Sequence, residues 1–190
     1  MEQKEFSVRE TAASFISAAK EHETLVFKKD PNEKASYNNI KTNLQSLNSL
    51  QQSQVMGYVR DSAIRVNGQE PDHLLNGYGT LRSVYSEVLT DMLDDKCYTV
   101  LYATRNGNQE TASTLRNEMT QTLKSLPNDQ LADLNGSIAS LHEAKDISYL
   151  ATLPQVITTK AFEEAGKMVS AEMTFRQEQT MNATEATPEA

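Results

Sequence analysis

The sequence predicts an all-α protein: a single helical bundle of about six or seven amphipathic helices with a disordered C-terminal tail. Apolar residues recur at spacings of three and four along most of the chain, which is typical of helices that bury one face. Several of these stripes begin at residues that cap helices and end at Gly or Pro. We therefore place a flexible N-terminus at residues 1–6, the bundle domain at residues 7–175 and the tail at residues 176–190.

Composition supports one folded domain and limits its partners. The chain has 190 residues, of which 38% are hydrophobic, and this length and content suffice for one modest core. Its formal net charge of −8 would repel a nucleic-acid backbone or an anionic membrane surface. No segment approaches the roughly 18 consecutive apolar residues that a membrane helix needs. We expect no nucleic-acid partner and no membrane insertion.

The N-terminus and the cysteine content indicate the compartment. Residues 1–5 lack the apolar segment of a secretory signal. Cys97 is the single cysteine, so the chain forms no internal disulfide and is stabilised by packing. These observations predict a cytoplasmic protein.

Two cap motifs mark the first two helices. Ser7 and Glu10 form a capping box at the start of the first helix. Asp30 is expected to cap the second helix, with Pro31 at its first position. The second helix carries a narrow apolar seam that consists of Tyr37, Ile40, Leu44 and Leu47. This seam could dock a partner's helix or pack against a neighbour in the same bundle, and both interpretations stay open.

The central helix carries the longest apolar stripe of the chain. A shorter helix precedes it, with Val55 on its apolar face and Asn67-Gly68 at its end. The stripe consists of Leu74, Tyr78, Leu81, Tyr85, Val88 and Met92. Gly77 and Gly79 each cost a helix about 1 kcal/mol relative to Ala, so we expect this helix to begin nearer Thr80.

Residues 97–104 fit both a helix and a strand. They are rich in β-branched and aromatic residues but do not alternate cleanly. No other segment offers a convincing strand to pair with them, and a lone strand would leave its backbone groups unpaired. We favour continuation of the central helix over an edge strand.

Three more elements complete the predicted bundle. The fifth helix ends at Pro127, and the sixth is expected to be capped by Asn128 or Asp129. The seventh begins at a capping box formed by residues 152–155, and its apolar face reaches Met173.

Three carboxylates on the central helix form a candidate metal site. Asp91, Asp94 and Asp95 are spaced i, i+3 and i+4, which places oxygen ligands suited to Mg²⁺ or Ca²⁺ on neighbouring positions. A solvated acidic face explains the same residues, and we favour it. The chain has 3 His and 1 Cys without a two-ligand helical spacing, so we expect no structural zinc and no cofactor.

Cys97, His142 and Asp146 form a candidate catalytic set. They have the residue types and chain order of a thiol nucleophile, its base and an orienting acid. Cysteine is also among the most frequently buried residues, and we favour an inert core thiol. Four tyrosines at helical spacing are likewise expected to pack their rings in the core: Tyr78, Tyr85, Tyr98 and Tyr102.

The sequence favours a non-enzymatic protein–protein interaction module, such as an adaptor, a chaperone-like protein or a regulatory bundle. This interpretation requires no catalytic residues, and the sequence shows no clear set of residues that would act together in catalysis. The partner would be another protein or a further copy of the same chain. The alternative is a small Cys-His hydrolase or deamidase that uses Cys97 and His142.

The C-terminal residues suggest a variant of this function. Glu163-Glu164 is followed by a Thr-, Ala- and Glu-rich end, and this pattern resembles the C-terminal export signals of bacterial type IV secretion effectors. The resemblance is one of composition and covers roughly the last 30 residues. It implies a bacterial protein that is exported into a host cell without a classical signal peptide. A solvated tail accounts for the same residues.

Overall fold

The computed structural model describes residues 6–67, 77–147 and 155–185. Within these ranges the chain forms seven α-helices and no β-strand, which confirms the all-α class and the predicted number of helices. The helices are α1 (Val8–Lys28), α2 (Glu33–Gln45), α3 (Ser49–Asn67), α4 (Tyr78–Arg105), α5 (Gln109–Ser125), α6 (Asn128–Ile147) and α7 (Gln155–Glu185).

The helices group into two compact units, which comprise residues 1–88 and residues 89–190. The boundary lies inside α4, so the first half of this helix, up to Val88, belongs to unit 1 and the second half, from Leu89, belongs to unit 2. The placement of one domain across residues 7–175 stays a prediction.

In unit 1, α1 packs against α2 and α3. The apolar spacing of these helices produces a core whose fully buried side chains include Ala12, Ala19, Ile40, Leu44, Val55 and Met56. The N-terminus of α1 is capped as predicted, because the Ser7 hydroxyl accepts a hydrogen bond from the amide of Glu10 at 3.4 Å. Helix α3 is described up to Asn67, and the predicted stop at Gly68 lies outside the described residues.

The start of α2 differs from the prediction. Asp30 was expected to cap the helix, but α2 begins at Glu33. The Asp30 carboxylate instead accepts hydrogen bonds from the backbone and side-chain amides of Asn32, at 2.8 Å and 2.9 Å. Asp30 therefore closes a short turn that contains Pro31, and this turn delays the helix by two residues.

The start of α4 is fixed by a side chain of α1. Gly77 has φ +92°, and its amide donates to the Glu23 carboxylate at 2.8 Å. The Thr80 hydroxyl donates to the same carboxylate oxygen at 3.0 Å. Because a negative charge at a helix N-terminus is favourable, this contact lets α4 begin at Tyr78, two residues earlier than predicted.

Residues 97–104 are helical and belong to α4, so the preference for a helix over an edge strand is confirmed. The buried side chains of this segment follow the helical period, with Cys97, Val100 and Ala103 turned inward. The β-branched and aromatic residues that suggested a strand are accommodated because tertiary packing outweighs local preference.

In unit 2, α7 packs against both α6 and α5. Helix α6 begins at Asn128, and the carbonyl of Pro127 accepts the amide of Leu131 at 2.9 Å. Pro127 therefore occupies the cap position that was predicted for Asn128 or Asp129. The packing of α6 against α7 is close at Gly166, where an added Cβ would lie 3.6 Å from a methyl carbon of Ile138.

Helix α7 extends further than the predicted bundle. The tail was expected to begin at residue 176, but α7 continues to Glu185. The residue at which the tail begins stays a prediction, because residues 186–190 lie outside the described part of the structure.

The Arg176 guanidinium closes the C-terminal end of α5. It donates to three backbone carbonyls there: Leu126 at 2.7 Å, Leu123 at 2.9 Å and Lys124 at 3.3 Å. It also donates to the Asn128 side chain and to the Glu172 carboxylate, both at 2.8 Å. A guanidinium has five N–H donors, so these contacts use all of them. The carbonyls at a helix end have no partner within the helix, and a cation placed there also opposes the negative end of the dipole.

Several predicted features lie outside the described residues. They are residues 1–5 of the N-terminus, Gly68, Leu74, the capping-box residues Thr152, Leu153 and Pro154, and residues 186–190 of the tail.

Replacing Arg176 tests its contacts with α5. Arg176→Met is expected to lower the free energy of unfolding by about 2 kcal/mol, because three carbonyls and Glu172 lose a charged donor. Urea denaturation followed by circular dichroism measures this loss. Lys167→Met removes the same charge from an exposed position of α7 and should change stability by less than about 0.5 kcal/mol. Equal losses in the two variants would contradict a stabilising role for Arg176.

Alanine substitutions at Gly77 and at Gly57 are expected to change the free energy of unfolding in opposite directions. At Gly77 the backbone has φ +92°, and an added Cβ would lie 3.0 Å from the Cβ of Ala19, so Gly77→Ala should destabilise the chain by about 2 kcal/mol. Gly57 lies inside α3 with open space around it, so Gly57→Ala should stabilise by about 1 kcal/mol. The same denaturation experiment measures both, and a shift of the same sign in both variants would contradict this prediction.

Candidate functional site

The candidate metal ligands lie on the second half of α4. Asp91 and Asp95 are exposed, and Asp94 is half-buried beside Cys97, where its charge acts on the thiol. Among the described residues, no group of three His, Cys, Asp or Glu side chains is placed to hold a metal ion. The exposure of Asp91 and Asp95 agrees with a solvated face.

The candidate nucleophile is enclosed by apolar packing. Cys97 is fully buried, and its Sγ lies 3.7 Å from the Sδ of Met119 on α5. Burial, together with the negative charges of Glu164 and Asp94 and against the opposing effect of Arg116, raises the pKa of the thiol to about 12. Because the thiolate is the reactive form, this environment disfavours reaction of the thiol at neutral pH.

The other two members of the catalytic set lie in α6. Residues 142 and 146 are helical, but the side chains of His142 and Asp146 lie outside the described part of the structure. The described contact of Cys97 is with a thioether, which cannot act as a general base. The environment of Cys97 is therefore that of a core residue.

The seam on α2 packs within unit 1. Ile40 and Leu44 are buried, and Leu47 is half-buried. The Tyr37 hydroxyl donates to the Glu87 carboxylate on α4 at 2.7 Å, and Lys41 donates to the other oxygen of Glu87 at 3.1 Å.

Burial raises the pKa of Tyr37 to about 12, which keeps its hydroxyl protonated as a donor to Glu87. The Tyr37 ring also lies 5.4 Å from the ring of His22 on α1. Ile40 and Leu44 are buried within the chain, and the partner-binding role of the seam stays a prediction.

The tyrosines of α4 divide into a buried pair and an exposed pair. Tyr78 and Tyr85 are buried, as predicted. Tyr98 and Tyr102 were expected in the core, but they are 45% and 63% exposed. The expectation was wrong because Leu93, Cys97 and Val100 occupy the inward face of this half of the helix.

The exposed tyrosines belong to a continuous stripe on the outward face of α4. We call this set the tyrosine stripe, and it consists of Asp91, Asp95, Tyr98, Tyr102 and Arg105. All five side chains are exposed. They recur at alternating spacings of four and three residues, which keeps them on one side of a helix with 3.6 residues per turn. This spacing is present in the sequence, but it identifies an exposed stripe only when the buried face of α4 is known.

Other exposed apolar side chains are more scattered. They include Val26 and Phe27 at the end of α1, Leu50 and Tyr58 on α3, and Phe175 and Met181 on α7. Isolated apolar residues of this kind are common on protein surfaces.

A cleft of about 440 Å³ lies in unit 2, between the start of α6 and the later turns of α7. It is lined by Asn128, Leu131, Met173, Arg176, Gln177, Thr180 and Met181. This described lining contains no carboxylate, imidazole or thiol, and the donors of Arg176 are already used. The Thr180 hydroxyl, which also belongs to this lining, donates to the carbonyl of Arg176 at 2.9 Å.

Comparison with known proteins adds no functional information. No protein family, curated protein or solved structure matches the chain. Among the described helices, none is both long enough and apolar enough to cross a bilayer.

The state of the Cys97 thiol can be tested directly. In the folded protein at neutral pH, a disulfide reagent is expected to modify Cys97 at least about 100-fold more slowly than in denaturant, because burial hinders both access and ionisation. The absorbance of the released thiolate measures the rate. A Cys97→Ala/Tyr98→Cys double variant moves the thiol to the exposed neighbouring position and should react rapidly without denaturant. Rapid reaction of folded wild-type protein would contradict the assignment of Cys97 to the core.

Proposed function

We propose that this chain is a non-enzymatic protein–protein interaction module that binds a protein partner through the tyrosine stripe of α4. The observation that carries the proposal is the exposure of Tyr98 and Tyr102, by 45% and 63%, on adjacent turns of one helix. Residues four apart on a helix are neighbours, so the two rings form one aromatic surface.

Tyrosine is well suited to such a surface. Its ring supplies a large apolar contact area, while its hydroxyl can form a hydrogen bond at the edge of an interface. Tyrosine is enriched both in interfaces and among the residues that dominate binding energy. A tyrosine also loses little conformational freedom on binding, because it has two side-chain torsions.

The helix beneath the stripe favours binding in a preformed conformation. The opposite face of this segment is anchored by Leu93, Cys97 and Val100, all nearly or completely buried. A surface held by a packed helix has little ordering cost when a partner binds. The stripe also combines its rings with charges of both signs, Asp95 on one side and Arg105 on the other, which can select a partner's orientation.

The proposal is tested by affinity capture from a lysate of the cells that express the protein. Wild-type chain is expected to retain specific proteins, and Tyr98→Ser/Tyr102→Ser should reduce their recovery by about tenfold or more, because two central aromatic contacts are lost. Quantitative mass spectrometry measures the recovery. Circular dichroism should show unchanged helicity, since both rings lie outside the core.

A matched control removes exposed apolar side chains elsewhere. Phe27→Ser/Leu50→Ser changes two residues that are 89% and 67% exposed, and it should capture the same proteins as wild type. The proposal fails if wild type retains no specific protein, its own cellular copy included, or if the stripe variant and this control recover the same proteins in equal amounts.

A further inference from the structure

The tyrosine stripe is complementary to itself. Asp95 and Arg105 lie five residues before and five residues after position 100, and Tyr98 and Tyr102 lie two residues before and after it. Two antiparallel copies of the stripe can be related by a two-fold axis that passes through the level of residue 100, perpendicular to the helix. This axis places Asp95 of each copy opposite Arg105 of the other. The same axis sets each Tyr98 opposite a Tyr102 of the other copy.

The parallel arrangement lacks this complementarity. In a parallel pair of stripes each residue meets its own counterpart, so Asp95 faces Asp95 and Arg105 faces Arg105. Like charges in such positions repel each other, whereas the antiparallel arrangement gives two opposite-charge contacts. For a pair of identical stripes, the charge pattern therefore favours the antiparallel direction.

On the basis of the proposed function, we infer that the partner of the tyrosine stripe is a second copy of this chain, in an antiparallel two-fold dimer centred near residue 100 of α4. The tyrosines form the middle of the interface, where paired aromatic rings favour offset or edge-to-face contacts. The Asp95 and Arg105 contacts lie at its two ends.

The size of the stripe makes the dimer weak. From Asp95 to Arg105 the helix rises about 15 Å. A single helix segment of this length covers much less than the roughly 800 Å² that each partner buries in an interface of standard size. The net charge of −8 on each chain also opposes association. We expect a dissociation constant on the order of 0.1 mM, which is characteristic of a small, reversible interface.

Sedimentation equilibrium of the full chain, from roughly 10 µM to roughly 1 mM, tests the inference. Wild type should shift from monomer to dimer across this range. Asp95→Arg and Arg105→Glu should each weaken the dimer by about tenfold or more, because each change turns both end contacts into like-charge pairs. The double variant Asp95→Arg/Arg105→Glu restores opposite charges at both ends and should dimerise as wild type does.

Two control variants separate this effect from net charge. Glu21→Arg and Lys34→Glu make the same changes in net charge at exposed positions of α1 and α2, and they should leave the equilibrium near that of wild type. A dimer that is insensitive to the single stripe variants, or that is not restored in the double variant, overturns the inference.

A monomer at every concentration also overturns the inference, and it does so without overturning the proposed function. In that case the loss of captured proteins from the Tyr98→Ser/Tyr102→Ser variant would still show that the stripe binds a different protein. A chain that forms the dimer but captures no other protein would instead restrict the function of the stripe to self-association.

Discussion

The rotation of α4 about its own axis determines what unit 2 presents to its surroundings. Leu93, Cys97 and Val100 are buried together, and their burial fixes which side of the helix faces the core. Once that side is fixed, the helical period places Tyr98 and Tyr102 on the opposite side. The same packing that buries the thiol therefore exposes the two rings. The properties of the candidate nucleophile and of the candidate interface have one physical origin.

The fold class and most helix positions were predictable because they depend on short-range patterns. Apolar spacings of three and four residues identify helices, and local caps such as Ser7 mark where they begin. The start of α4 differed from the prediction because a distant side chain sets it, whereas the start of α2 differed because of a local turn at Asp30. Glu23 on α1 fixes the first residue of α4, and Arg176 on α7 closes α5. Neither contact can be read from neighbouring residues, because each joins positions about fifty residues apart.

The candidate sites show a similar limit. Residue types left a thiol nucleophile at Cys97 and a docking seam around Ile40 as options, although the frequent burial of cysteine already favoured an inert core thiol. The structure places both residues in the interior, where a thiol is protonated and an aliphatic side chain is already covered. The exposed stripe was missed for the complementary reason. Tyrosine occurs both in cores and at surfaces, so its location depends on neighbours that the sequence alone does not orient.

The contacts of Arg176 also bear on how unit 2 opens. One side chain of α7 holds the last turn of α5 and the first residue of α6, so these three helices share a single junction. Fraying of the α5 end would leave its carbonyls and the guanidinium without their partners at the same time. The junction therefore favours opening as one cooperative event over separate fluctuations of each helix end. Amide hydrogen exchange in the first turns of α6 and in the middle of α7 should then proceed with similar opening free energies.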